Sequence, residues 1–454
     1  MTPPLFNLDD LPEPPSPVQV AQSLPPGKPR LRVPVRDQME MHWASLDEML
    51  EPDHPARTVW AVVCGLDLSK WLGEIKAVEH HVGRDATDPR LLLALWVYAT
   101  LRGVGSAREL DRRCRESLPF KWLCGGVSLN YHMLSDFRSE GGDKWDELLT
   151  QIVAALLDAD LVKMDRVAQD GMKVRASAGK SSFRRRGRLE ECLEEARQQV
   201  ETLKKLAEEN GEELNRRQIA ARQRAAKEHQ ERIEAALREC EELQKQREAS
   251  AKRSGRKVDE ARASTTDPEA RVMKFADGGY RPGYNVQFST DVDSGVIVGV
   301  EVTNAGTDNE QLVPMLDQLK ERYDRVPPLA VVDGGFATKE AIDEAQEREC
   351  TVYAPVKDEE KQLAAGEDPY APKKGDSDAV AEWRKRMGTE AAKVIYVLRC
   401  QTAEWVNAMC RNRGFQRMPV RGQDRCRIVA LLYAITHNLL RIGKLRAQCA
   451  AATG

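Results

Sequence analysis

Four apolar, β-branched runs spaced along the chain after residue 160 constrain its fold more than any other feature. LVKMDRVAQD, GYNVQFSTDVDSGVIVGVEVT, PLAVVD and CTVYAPV have the residue types and lengths of strands. The second run is long enough for two strands joined by a tight turn at Asp293-Ser294-Gly295. Helical patterns follow near Asn309 to Tyr323 and from Thr338 to Arg348. With a long charged stretch set aside, the order is strand, strand, strand, helix, strand, helix, strand, helix.

That order is the one a ribonuclease-H-like mixed sheet has, and it is expected over residues 161–454. The charged stretch, 184 to about 262, carries Leu189, Leu193, Ala196, Val200 and Leu203 in alternating steps of four and three, a coiled-coil seam. Asn210-Gly211 interrupts it, and a second run through Ile233, Leu237, Cys240 and Leu243 reads as folding back. The expectation is an antiparallel helical hairpin inserted into the sheet domain, acting as a spacer or dimer contact. The polar stretch 357–390 reads as a mobile loop.

Ahead of the sheet, residues 37–160 show apolar residues at helical spacing, as in Leu91, Leu92, Leu95, Trp96 and Ala99 behind Asp88-Pro89. This is an all-α domain, so the fold class is α+β. Within it, a helix after Ser106, a break at Cys124 to Gly126 and a helix from near Ser128 have the layout of a helix-turn-helix, with Arg108, Arg112, Arg113 and Arg115 available to phosphate. Residues 1–36 are Pro-rich without a hydrophobic period and read as a flexible tail.

Charge decides what this chain does not do. A net charge of -3 argues against coating nucleic acid by bulk attraction. Yet from Arg399 to Arg427 seven arginines face only Glu404 and Asp424, a local positive surface for phosphate. The 10 cysteines never form the close pairs of a zinc ribbon. The amino terminus has no basic flank before an apolar core, and the apolar runs read as too short to span a bilayer, so a soluble cytoplasmic protein is expected.

Asp170 and Asp333 each close an apolar strand, and neighbouring strands set such residues side by side at one sheet edge. A following helix brings Glu404 to them. Three carboxylates around an open pocket suit Mg²⁺ or Mn²⁺, and two ions about 3.5–4 Å apart serve in-line phosphoryl transfer. The plainer reading is a turn, because both aspartates precede glycine. Against it stands YVLRCQTAEWVNAMCR, which puts Tyr396, Arg399, Glu404 and Arg411 on one helix, with Arg399 and Arg411 placed for phosphate. Asp291 and Asp293 read as turn residues, Asp308 as a helix N-cap, and His437 and Asn438 as internal hydrogen-bonding groups. His80-His81 lacks a partner carboxylate at suitable spacing.

The sequence resembles the bacterial insertion-sequence transposases with a DDE triad, in the IS-four-like superfamily with an InsH-type amino-terminal domain. The resemblance rests on EPDHPARTVWAVVCGLDLS, DPRLLLALWVYATLRGVGSARELDRRCRESLPFKWL and NYHMLSDFR in the first domain. In the second it rests on VAQDGMKVRASAGK, GGYRPGYNVQFSTDVDSGVIVGVEVTNAGTDNEQLVPML, VVDGGFATKEAI and RGQDRCRIVALLYAITHNLLRI. It implies metal-dependent DNA cleavage and strand transfer by Asp170, Asp333 and Glu404, with Tyr396 and Arg399 in the helix signature around the glutamate. Arg411 stands where relatives usually place lysine, and TAEWVNAMCRNRG departs from the usual glutamate motif. Binding of terminal inverted repeats falls to the α-domain, and Arg413, Arg417 and Arg421 hold backbone. The expected partners are double-stranded DNA and a second copy of the chain, in a protein that joins the bacterial nucleoid when DNA-bound. A nuclease of the same fold, or a DNA-binding protein without catalysis, is the alternative.

Overall fold

The computed structural model describes residues 43–78, 85–209, 213–255 and 258–453. Contacts part the chain after Ser45, and every helix and strand described lies in the unit Leu46–Gly454. The Pro-rich tail expected over residues 1–36 and the His80-His81 pair fall outside the described residues.

The helical region runs through α1 (Pro55–Cys64), α2 (Ser69–Leu72), α3 (Pro89–Leu101), α4 (Ala107–Glu116), α5 (Leu118–Cys124), α6 (Tyr131–Ser139) and α7 (Gly142–Asp158). Its starts are chemical. Asp88 accepts from Arg90 N at 2.8 Å with Pro89 in the first turn, and Ser106 accepts from Glu109 N at 3.4 Å. α6 begins three residues beyond the expected Ser128 because Asn130 is the residue that caps, accepting from Met133 N at 3.0 Å. Gly125 and Gly126, at φ of 54° and 85°, turn the chain between α5 and α6.

α3 is buried on nearly every side from Leu91 to Thr100. The last helix, α16 (Gln423–Thr453), explains this, since it packs on α3, on α7 and on the sheet. Helical region and sheet therefore share one hydrophobic core. The segment Gln423–Gln448 is long and apolar enough to cross a membrane, contrary to the expectation that no such run exists, but 72% of its apolar window is buried in this core.

The sheet holds β1 (Arg166–Arg175), β4 (Arg271–Lys274), β5 (Tyr280–Asp291), β6 (Ile297–Thr303), β7 (Leu329–Val331) and β8 (Thr351–Tyr353), in the order β4-β5-β1-β7-β8 with β6 also on β5. β1 pairs antiparallel with β5 and parallel with β7, and β7 pairs parallel with β8. β4 is one strand more than the sequence pattern indicates; its four residues carry too short an alternation to read. β1 also runs five residues past Asp170, so that aspartate does not end its strand. α10 (Leu312–Tyr323) and α11 (Lys339–Glu347) follow β6 and β7 as expected.

Between β1 and β4, the short strands β2 (Phe183–Arg184) and β3 (Ala263–Ser264) pair antiparallel and clamp the base of a helical hairpin, α8 (Arg186–Glu209) and α9 (Glu213–Ser254). Its antiparallel sense is fixed by Arg186–Glu241 at 3.1 Å and by Gln223 Nε2 donating to Leu203 O at 3.0 Å. Leu189, Ala196, Ile233, Ala236 and Cys240 are buried in the seam, while Leu193, Val200, Leu203, Leu237 and Leu243 are half-buried.

The stretch 357–390 is not a loop. It forms α12 (Glu359–Ala364) and α13 (Asp378–Met387), and Val380, Trp383 and Met387 are buried against Ile342 and Val356. Trp383 Nε1 donates to Ala354 O at 3.2 Å, and Asp376 accepts charge from Lys339 and Arg384, each at 2.8 Å. Three apolar residues spaced by three and four suffice for one buried stripe, and the polar composition around them masked it.

Candidate active site

β7 stops at Val331, opposite Ala168 of β1. Two residues farther along each chain stand Asp333 and Asp170, so the parallel register carries the two aspartates toward the same end of the sheet. Asp170 is held on three sides. Gly171 N donates to its Oδ1 at 3.0 Å, Asn407 Nδ2 donates to its Oδ2 at 2.9 Å, and Arg399 Nη1 lies 3.4 Å from Oδ1. Burial pushes its pKa up to about 6 despite the opposing pull of Arg399 and Asn407, and the nearby Asp308 adds to the rise.

Glu404 arrives by a distortion in the helix. α14 (Glu390–Arg399) passes into a π turn, Cys400–Glu404, before α15 (Trp405–Asn412). In a regular α-helix, residues five apart diverge by about 140°. The wider i→i+5 turn brings them together, a feature frequent at functional sites. Arg399 Nη2 accordingly donates to Glu404 Oε1 at 2.6 Å. Arg399 is the hub of the site. Its side chain is only 13% exposed, Tyr396 lies against it at 5.8 Å, and its Nε is buried without a partner. Burial pulls its pKa down, yet Tyr396, Asp170, Asp333 and Glu404 together hold it above the ordinary value. All three acids thus face one cation. Asp333 and Glu404 are exposed, whereas Asp170 is not. Among the described residues no three acids, histidines or cysteines close on a common point. The donor set itself, carboxylate oxygen throughout, suits a hard divalent ion.

Two polar residues at this site carry no sequence signal of their own. Asn407 is buried on α15 and fixes Asp170. Asp308, expected to cap α10, does not: Gln311 occupies that position without a side-chain bond. Asp308 Oδ1 instead accepts from Asn285 and Gln287 of β5, both at 2.7 Å, in the space a side chain on Gly171 would fill. The alternation Asn285, Gln287, Ser289 on an otherwise apolar buried strand was the readable sign of a polar cluster. Asp291 and Asp293 are turn residues as expected, the first accepting from Ser294 N at 2.9 Å and the second pairing with Arg166. His437 Nε2 meets Gly295 O at 2.9 Å, and Asn438 bonds the backbone of Ile297. Burial draws the His437 pKa down to about 4.

Residues 44–140 match the transposase domain family DUF772, and residues 250–439 match the transposase DDE domain. The chain belongs to the IS4-like DDE transposases. Such enzymes perform phosphoryl transfer on DNA and act with divalent metal ions. The second match holds Asp333 and Glu404 and begins after Asp170, near the end of α9. Comparison with curated proteins and with solved structures gave no match.

The arginines expected to meet DNA are placed unequally in the transposase. On α4, Arg112 is shared by Glu109 and Glu116, Arg113 pairs with Glu109, and Arg115 pairs with Asp111, so this helix carries its own counter-charges. Arg108 lies over the Tyr131 ring at 5.0 Å. Arg399 is committed to the acids. Arg413 is half-buried, with Nη1 buried and unpartnered. Arg411, Arg417 and Arg421 are exposed.

Proposed function

We propose that the transposase binds the terminal inverted repeats of its insertion sequence, hydrolyses the DNA there to leave a 3′-hydroxyl, and uses that hydroxyl to attack target DNA. The observation that carries this reading is the convergence of Asp170, Asp333 and Glu404 on Arg399 where β7 stops beside β1. Mg²⁺ or Mn²⁺, as two ions, would be held by these three acids and would supply Lewis-acid stabilisation of the attacking and leaving oxygens.

The chain's own residues do the rest. Asn407 fixes one oxygen of Asp170, and Gly171 N fixes the other beside Arg399. Arg399 keeps three negative charges together before DNA arrives, and its grip on Glu404 orients the one acid carried by a helix. Arg411, Arg417 and Arg421 take phosphate, and the α-domain contributes base-edge contacts. Joining two element ends requires at least a dimer on DNA, with the α8–α9 hairpin as its contact. The protein works in the cytoplasm, on the nucleoid.

The test is strand transfer with Mg²⁺ and paired duplexes taken from the DNA flanking the gene. Joined products support the reading. Cutting without joining makes the enzyme a nuclease, and binding without either makes it a DNA-binding protein.

A further inference from the structure

Five residues beyond Asp170, β1 ends at Arg175. There the chain segment after α15 docks against it. Arg175 and Arg417 are parallel bridge partners, fastened by Arg175 N donating to Gln416 O at 3.1 Å and Met418 N donating to Arg175 O at 2.7 Å. Bridge partners set their side chains on the same face about 5 Å apart, and like charges so opposed repel. Both side chains are exposed, and among the described residues neither has an ion pair or side-chain hydrogen bond. The backbone therefore enforces a repulsion that nothing among the described residues relieves.

The pair opens on a groove of about 470 Å³ lined also by Lys180, Tyr280 and Arg281, with no acid in its wall. Arg281 is neutralised by Asp277 from outside. Lys180 is exposed and has no partner among the described residues, and the Tyr280 side of the groove is open, with that residue 56% exposed. Lys180 also lines a second groove of about 580 Å³ beneath the helical hairpin, so the two adjoin. In the second, Arg185 pairs with Glu260 and Arg271 with Glu239, whereas Arg262 has no partner among the described residues. Unrelieved positive charge thus lies at Arg175, Arg417 and Lys180 in the first groove, and at Arg262 in the second, whose wall also holds Asp259.

We propose that this groove grips the sugar–phosphate backbone of duplex DNA beyond the reacting phosphate. Asp170 and Arg175 stand about 17 Å apart along β1, five residues at about 3.3 Å each, on alternate faces of the strand. The proposal rests on the reading of Asp170 as part of the catalytic centre. Neither Arg175 nor Lys180 belongs to the arginine-rich segment 399–427; strand pairing brings them to it.

The experiment is a fluorescence-anisotropy titration of the full chain with a duplex of about 30 base pairs, across about 50–300 mM KCl. Each phosphate contact contributes about 0.9 to the slope of log K against log salt. Arg175→Ala/Lys180→Ala/Arg417→Ala lowers the slope by about 2–3, while Arg175→Lys/Arg417→Lys keeps it, since charge is what the groove supplies. An unchanged slope in the alanine variant, in a chain whose wild type cuts and joins, overturns the groove and leaves the function standing. A slope lost in the lysine variant also overturns it, because the arginines would then act through packing. A wild type that binds no duplex overturns the proposed function itself.

Discussion

Adding one methyl group at Gly171 tests how closely the sheet is built around Asp170. Gly171 lies inside β1, without the positive φ of a turn glycine, so its lack of a side chain needs another cause. A Cβ there would stand 2.1 Å from Asp308 Oδ1, 2.6 Å from Gln287 Nε2 and 2.9 Å from Asn285 Oδ1. Ordinary contact begins at 3.4 Å, so either Asp308 leaves its two donors or β1 moves by more than 1 Å. Overpacking of this kind costs about 1–3 kcal/mol. A shift of that size at the adjacent Asp170 lowers the rate about 100-fold. Urea unfolding and metal-dependent cleavage of the element-end duplex read the two effects. Gly171→Ala/Asp308→Ala removes the closest contact but leaves Gln287 Nε2 at 2.6 Å and takes the acceptor from Asn285 and Gln287, so it regains only part of the stability. A Gly171→Ala protein within about 0.5 kcal/mol and twofold of wild type in these assays would refute the reasoning.

Trp383→Ala lowers unfolding free energy by about 3–5 kcal/mol in urea, through lost burial and the lost bond to Ala354 O; a residue in a loose loop would change it by less than about 0.5 kcal/mol. His437 has a folded-state pKa of about 4 against an ordinary 6.5, so the unfolded chain takes up the proton first. Its contribution is fully present above pH 6.5 and falls away as pH drops toward 4, by about 3 kcal/mol, a pH dependence that His437→Gln removes. Arg399→Met leaves three facing acids without their cation; cleavage falls at least about 100-fold while stability in the metal-free protein also drops, and an unchanged rate would remove Arg399 from the site.

Much of this fold is written in local chemistry. Asp88-Pro89, Ser106 and Thr338 start helices where caps say they do, and the β5–β6 hairpin turns at Asp293-Ser294-Gly295. The steps of four and three in 189–203 correspond to a hairpin packed antiparallel. What stayed hidden depends on partners distant in sequence. Asp170 reads as a strand end because the apolar run stops there and glycine follows, while the strand continues to pair with β5 through Arg175. Asp308 reads as a cap because it precedes a helix, yet the donors that claim it lie 21 and 23 residues earlier on β5. The π turn that joins Arg399 to Glu404 leaves no period in the sequence to count, and the segment 357–390 hides an apolar stripe under charge.

The central claim is that Asp170, Asp333 and Glu404 act as one centre. The most direct measurement is the strand-transfer rate of Asp170→Asn, Asp333→Asn and Glu404→Gln beside Asp293→Asn, a turn residue paired with Arg166, with end-duplex affinity recorded for each. The account predicts that each of the first three loses at least about 1,000-fold in rate while binding DNA within a few-fold of wild type, and that Asp293→Asn does neither. Strand transfer that survives any one of the three substitutions would contradict it.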